Sequence, residues 1–98
     1  MHDPIDLDAA QWARRFAVLS DPTRLSLLIS MHAVPGQSVL ELAAASGTTR
    51  NAASQALRGL REEGWVHGDR DGRIVRYRLN SDAIVHRILH DIVGAHHH

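Results

Sequence analysis

At 98 residues the chain is long enough for one small domain, and its apolar fraction of 44% is ordinary for a globular protein. Cysteine is absent, which excludes disulfides, thiolate metal sites and thiol redox sensing. The formal net charge is zero, no apolar run approaches a membrane span, and the acidic start, MHDPIDLD, is unlike a signal peptide, so a cytoplasmic protein with no membrane partner is expected.

Residues 1–7 carry no period and are expected to be frayed. Asp8 caps a first helix running to about Leu19, with Ala10, Ala13, Phe16 and Ala17 on its apolar side. Asp21-Pro22 restarts the chain, Asp as cap and Pro at the first helical position. The second helix reaches about His32 and turns Leu25, Leu28 and Ile29 inward, and Val34-Pro35-Gly36 is a turn. Ser38-Val39-Leu40-Glu41 has the S-x-x-E form of a capping box. It opens a short helix to Ala45, where Leu40, Leu42, Ala43 and Ala44 supply apolar surface and Gly47 closes the turn.

Thr48 or Thr49 then caps a longer helix that Gly64 ends. Ala53, Leu57 and Leu60 form its apolar stripe. A short helix, a tight turn containing Gly and a longer helix make a helix-turn-helix, whose second helix enters the major groove of DNA. Thr49, Arg50, Asn51, Ser54 and Gln55 lie where base edges would be reached. Arg reads guanine bidentately, and Asn and Gln read adenine. Arg58 and Arg61 are phosphate candidates. The plainer alternative is a solvated amphipathic helix.

After Gly64 the period changes to two. Trp65, Val66 and His67 begin a strand, Asp71-Gly72 is a two-residue hairpin signal, and Val75, Tyr77 and Leu79 alternate with Arg76 and Arg78. This hairpin reads as a wing, with Arg70, Arg73 and Arg76 expected on the DNA backbone or in the minor groove. Its competing reading is a hairpin whose arginines merely block edge pairing. Charge is distributed to match. Residues 50–78 hold seven arginines against four acids, and the rest of the chain holds four arginines against seven acids. A basic segment thus sits in an acidic frame.

Asn80 or Ser81 caps a last helix through about Val93, with Gly94 as its stop. Ile84, Val85, Ile88, Leu89 and Ile92 give it a wide apolar face, which predicts packing with the first helix against a second copy of the chain. The expected fold class is mainly α with a small β-hairpin. It is a dimeric winged helix-turn-helix spanning residues 1–98 as a single domain, with a histidine-rich tail at 94–98.

Three motifs resemble the ArsR/SmtB family of bacterial repressors. LSDPTRLSLL at 19–28 is similar to the family's L-[AS]-D-P-T-R-L-x-I-L signature. Residues 38–60 are similar to its V-x-E-L-A … S-Q-x-L-x-x-L pattern, and DGRIVRYRL at 71–79 to its wing. The resemblance covers roughly residues 12–93. It implies a homodimer that binds a palindromic double-stranded operator and is released by a metal ion or another inducer. Many members sense metals through cysteine, which this chain lacks. Others use D-x-H-x10-H-x2-H on the last helix. Here Asp82 and His98 match, while Ile84 and Ala95 stand where histidines would be.

Histidines are nonetheless concentrated at this end. At 100° per residue Asp82, His86, His90 and His97 border one helix face. Antiparallel copies would bring Asp82 and His86 of one chain toward His97 of the other. Asp82, His86, His97 and His98 are therefore the candidate ligands for a nickel, cobalt or zinc effector, with His2 and Asp3 as additional donors. Other readings stand beside this one: Asp82 serves the helix dipole, His86 and His90 are surface histidines, and His96–His98 are the stub of a purification tag. His32 and His67 receive no role. Two alternatives to a metal-responsive regulator remain: one of the same type without metal sensing, and a winged helix used for protein contact. No phosphate loop, Ser/His/Asp arrangement or paired carboxylates point to an enzyme.

Overall fold

A computed structural model describes residues 8–81 and 83–94. Along the chain run α1 (Ala9–Ala17), a 3-10 turn (Val18–Ser20), α2 (Pro22–Ala33), α3 (Val39–Ala45), α4 (Arg50–Glu62), β1 (Val66–Asp71), β2 (Ile74–Leu79) and α5 (Ala83–Gly94). The stretch expected to fray, 1–7, lies outside the described residues. No helix among the described residues is long and apolar enough to cross a membrane.

Side-chain oxygens start the helices where the sequence places them. The Asp8 carboxylate accepts from the Ala10 and Gln11 N–H groups, and Asp21 accepts from Arg24 N–H. At α3 the capping box is complete: Ser38 Oγ accepts from Glu41 N–H at 3.2 Å, and Glu41 Oε1 accepts from Ser38 N–H at 2.9 Å. Thr49, not Thr48, caps α4. Both helices of the α3–α4 pair end in the same doubly bonded turn. Thr48 N–H donates to the Ala43 carbonyl and Gly47 N–H to Ala44, while Trp65 N–H donates to Leu60 and Gly64 N–H to Arg61. Gly47 has φ +67, which glycine alone adopts without strain, and this tight stop lets α4 begin three residues later.

Four helices and the first strand feed one core. α2 contributes Leu27, Leu28 and Met31, α3 Leu42 and Ala43, and α4 Ala53, Ala56, Leu57 and Leu60. Trp65, Val66 and Leu89 complete it. The α2 assignment from sequence needs correction. Leu28 is inward, but Ile29 is 38% exposed, and Leu27 and Met31 take the place given to it. α2 is in contact with α3, α4, α5 and β2, so its buried face is centred on residues 27, 28 and 31. Ile29 lies roughly 150° from that centre at 100° per residue. Leu40, assigned apolar surface on α3, is 59% exposed.

The hairpin also shifts by one residue. Asp71 pairs with Ile74, so the two loop residues are Gly72 and Arg73, not Asp71 and Gly72. Gly72 has φ +65 while no residue other than glycine among the described residues has positive φ, the pattern of a II′ turn with Gly first. At the wing's base a single bridge joins Gln37 to Tyr77: Gly36 N–H donates to the Tyr77 carbonyl and Tyr77 N–H to the Gln37 carbonyl. Gln37 Nε2 in turn donates to the Ser30 and Val34 carbonyls at the end of α2. Within the wing, Val75 and Tyr77 cross β1 at Gly68, where a Cβ would stand 2.8 Å from Val75 Cγ1.

Asn80, one of the two residues expected to cap α5, is used elsewhere. Its Oδ1 meets His67 Nδ1 at 2.8 Å, and its Nδ2 donates to the Gly64 carbonyl. The position immediately before α5, Asp82, lies outside the described residues.

Two predictions follow from these contacts. Trp65 is fully buried and its Nε1–H donates to the Arg15 carbonyl at 2.9 Å. Trp65→Phe should lower stability in urea by about 1–3 kcal/mol, because that carbonyl loses its partner; an unchanged midpoint would refute the role. The Ser38 backbone N–H, and secondarily its hydroxyl, hold the Glu41 carboxyl below its ordinary value of 4.5. A lowered folded value means the capping contribution is complete above the ordinary carboxylate range and is lost as pH falls through the lowered one. Glu41→Gln should therefore show a shallower loss of thermal stability on acidification than the parent chain, and equal slopes would contradict this.

Candidate nucleic-acid interface

α4 presents its polar residues because its other side is filled. Ala53, Ala56, Leu57 and Leu60 are buried, so Arg50, Asn51, Ser54, Gln55 and Arg58 point outward, and all five are exposed. Thr49, placed with them by the sequence, is also exposed. Its Oγ1 accepts from Ala52 N–H at 3.1 Å, which leaves the hydroxyl proton to donate outward.

The exposed residues divide between the two sides of the helix. Arg50 lines a hollow with Arg73, Ile74, Val75 and Tyr77 of the wing and with Ser38, Val39 and Leu40. Ser54, Arg58, Arg61 and Glu62 line a second hollow that Tyr77 also borders. Tyr77 of β2 is common to the two. Gln55 faces the other way, into a hollow with Asp21, Thr23 and Arg24 at the start of α2. Asn51 lines none of these. The structure thus brings Arg50 and Arg73 to one hollow, Ser54 and Arg58 to a neighbouring one, and places Gln55 on the far flank of the same helix.

Acidic residues sort the wing arginines into two kinds. Arg76 Nε donates to Asp71 Oδ2 at 2.8 Å, and its Nη1 donates to the Gly36 carbonyl at 3.1 Å. The Asp71 hydrogen bond and charge raise its pKa further. Arg78 Nε stands 4.0 Å from Asp69 Oδ2. Arg76, expected at DNA, is therefore already tied to the wing's frame. Among the described residues the ion pairs are those of Arg76, Arg78 and His67. Arg50, Arg58, Arg61, Arg70 and Arg73 take part in none of them and are exposed, free to meet phosphate or base.

Sequence reasoning missed three lining residues. Tyr77, expected on one strand face with Val75 and Leu79, is half-buried and borders both hollows. Its position between Arg76 and Arg78 was the available signal. Thr23 and Arg24 reach α4 only because α2 packs across it, and nothing local announces that.

Of the residues expected at a metal, Asp82, His97 and His98 lie outside the described residues, as do His2 and Asp3. His86 is exposed on α5, with its ring centre 6.1 Å from that of His32 and 6.2 Å from that of His90. Imidazoles in this number suit nickel, cobalt or zinc.

No profile of a known protein family matches the chain. It is 31% identical over 80 residues to the HTH-type transcriptional regulator YgaV of Escherichia coli, covering 82% of this chain and 81% of that one. It is 42% identical over 77 residues to the HTH-type transcriptional regulator NmtR of Mycobacterium tuberculosis, covering 78% of this chain and 63% of NmtR. Among solved structures, it is similar to the homodimeric winged helix-turn-helix DNA-binding domain of Mb0332 from Mycobacterium bovis, described as a possible ArsR-family transcriptional regulator. That match has a TM-score of 0.77 at 28% identity and covers 99% of this chain and 93% of the other. The shared fold, the signature stretches at 19–28 and 71–79 and these relatives agree: the chain belongs to the ArsR/SmtB family of winged helix-turn-helix, DNA-binding transcriptional regulators.

Proposed function

We propose that the chain acts in the cytoplasm as a homodimeric repressor that binds double-stranded operator DNA, with a transition metal such as nickel, cobalt or zinc as its effector. The observation that carries the DNA reading is the exposed row of Arg50, Asn51, Ser54, Gln55 and Arg58 on α4, with Arg50 sharing a hollow with Arg73 of the wing. α4 enters the major groove and contacts bases through Arg50, Asn51, Ser54 and Gln55, with Thr49 at its mouth. Arg58, Arg61, Arg70 and Arg73 contact phosphates or the minor groove, and Arg76 steadies the wing behind them.

Support for a dimer comes from α1. It buries no residue within the chain, and Phe16 remains 46% exposed beside Trp12. An apolar helix left open in this way gains by meeting a second copy. The solved Mb0332 domain is homodimeric. The metal reading rests on imidazole and carboxylate chemistry at α5, with Asp82, His86, His97 and His98 as the residues first drawn to it. A metal that weakens DNA binding must itself be bound more weakly, by the same factor, when DNA is present.

The test is binding to a duplex carrying the promoter of the chain's own gene, followed as salt is raised. A repressor that neutralises several phosphates loses affinity steeply, on the order of 10³-fold or more between 50 and 200 mM salt. No binding even in dilute buffer would overturn the assignment. Arg50→Ala should lower operator affinity by about 1–3 kcal/mol at matched salt if it reads a base. Equal affinity would remove Arg50 from that role.

A further inference from the structure

Three histidines meet where the last turn of α2 packs against α5. His86 and His90 are one turn apart, so their side chains leave α5 side by side. Their ring centres are 6.2 Å apart and the rings lie 20° from parallel. His32, from α2, closes the figure at 6.1 Å from the His86 ring and 6.2 Å from the His90 ring. His32 is half-buried, and His86 and His90 are exposed. No contact in the sequence pattern links residue 32 to residues 86 and 90, and the fold alone brings them together.

We propose that His32, His86 and His90 form a site within one chain for a divalent metal of the zinc, cobalt and nickel class. This site needs neither Asp82 nor the histidines at 97 and 98. Imidazole is the donor these ions share. Two histidines at i and i+4 on a helix are an established two-point seat for zinc, and here a second helix supplies the third point. With metal–nitrogen bonds of about 2.0–2.1 Å, three imidazoles on a tetrahedral centre have ring centres roughly 5 Å apart.

The rings stand about 1 Å wider than that, and as they stand no group of three or more His, Asp or Glu among the described residues could hold a metal ion, so the site forms only if His86 and His90 turn inward. Rotation of His86 and His90 closes the difference without disturbing the core, since both are exposed. Three protein ligands leave the fourth position open. Arg78 lines the same hollow as His32 and His86, though His90 does not, and its charge opposes a dication there unless an anion or hydroxide fills that position. α2 also packs on α3 and α4, so the metal would fasten α5 to the helix that backs the recognition helix.

The inference stands independently of DNA binding, so its test reads the metal alone. Zinc affinity is measured by competition with a chromophoric chelator, and cobalt is followed by its visible ligand-field bands, on the full chain and on H32A, H90A and H97A/H98A. Even residues behind a ligand change affinity about 10–100-fold. H32A and H90A should each weaken zinc binding by about 100-fold or more and erase the tetrahedral cobalt bands. H97A/H98A separates this site from the set of Asp82, His86, His97 and His98: affinity and bands both retained in it support the three-histidine site and remove His97 and His98 from the metal. His90 is exposed, so H90A removes a ligand without opening the core, and circular dichroism checks that H32A remains folded. Tight binding retained in either H32A or H90A overturns the site, as does a parent chain that binds neither ion at micromolar concentration. Binding lost only in H97A/H98A also overturns it, while leaving a metal-responsive regulator intact with its site in the tail.

Discussion

Trp65 joins α4 and the wing to α1. Its indole is fully buried, and each of its polar groups is spoken for. The backbone N–H closes α4 on the Leu60 carbonyl, the backbone carbonyl accepts from Asn80 N–H beyond β2, and the ring N–H holds the Arg15 carbonyl in α1. Arg15 returns the contact: its guanidinium lies 5.3 Å from the Trp65 ring and 4.3 Å from the Trp12 ring, and its Nε donates to the Glu63 carbonyl. One residue between helix and strand thus fixes where the recognition helix stops, where the wing starts and how α1 lies across both. A buried donor and acceptor that both find partners make such a junction rigid, since either left alone would be unfavourable.

Electrostatics on this frame are local. A chain with no net charge still presents arginine without a carboxylate partner along α4 and at the wing tip. Asp69 and Asp71 lie on the wing itself and hold Arg78 and Arg76, so those two guanidinium groups serve the hairpin. Along α4 and the wing, the arginines outside these ion pairs are Arg50, Arg58, Arg61, Arg70 and Arg73. Their planar fork suits both phosphate and guanine. Acid placement therefore selects which cations are available as much as arginine placement does.

What the sequence made legible was what short-range chemistry decides. Asp8, Asp21, Ser38 with Glu41, and Thr49 begin their helices because a side-chain oxygen two or three residues from a free N–H is a local arrangement. The outward set on α4 followed from the Ala53, Leu57 and Leu60 stripe in the same way. Errors arose where tertiary contact decides. Ile29 and Leu27 are equally apolar, and only the positions of α3, α4 and α5 determine which is buried. Asp71-Gly72 and Gly72-Arg73 both fit a two-residue loop, and cross-strand pairing chose the second. Asn80 is a plausible cap in isolation, but His67 and the Gly64 carbonyl claim it. Tyr77 at both hollows and His32 beside His86 join residues dozens of positions apart, which no local pattern encodes.

The Gln37 clamp has a mechanical meaning. Its side-chain amide grips the carbonyls of Ser30 and Val34, and its backbone carbonyl accepts from Tyr77 N–H, beside Tyr77 and Leu79 packed against the core. The wing is thereby tied to the trailing end of α2 twice, by directional bonds and by side-chain packing, one turn or less from His32. Any twist applied to that helix end is delivered to the hairpin through directional bonds that transmit angle, and the tip, farthest from that anchorage, sweeps the widest arc.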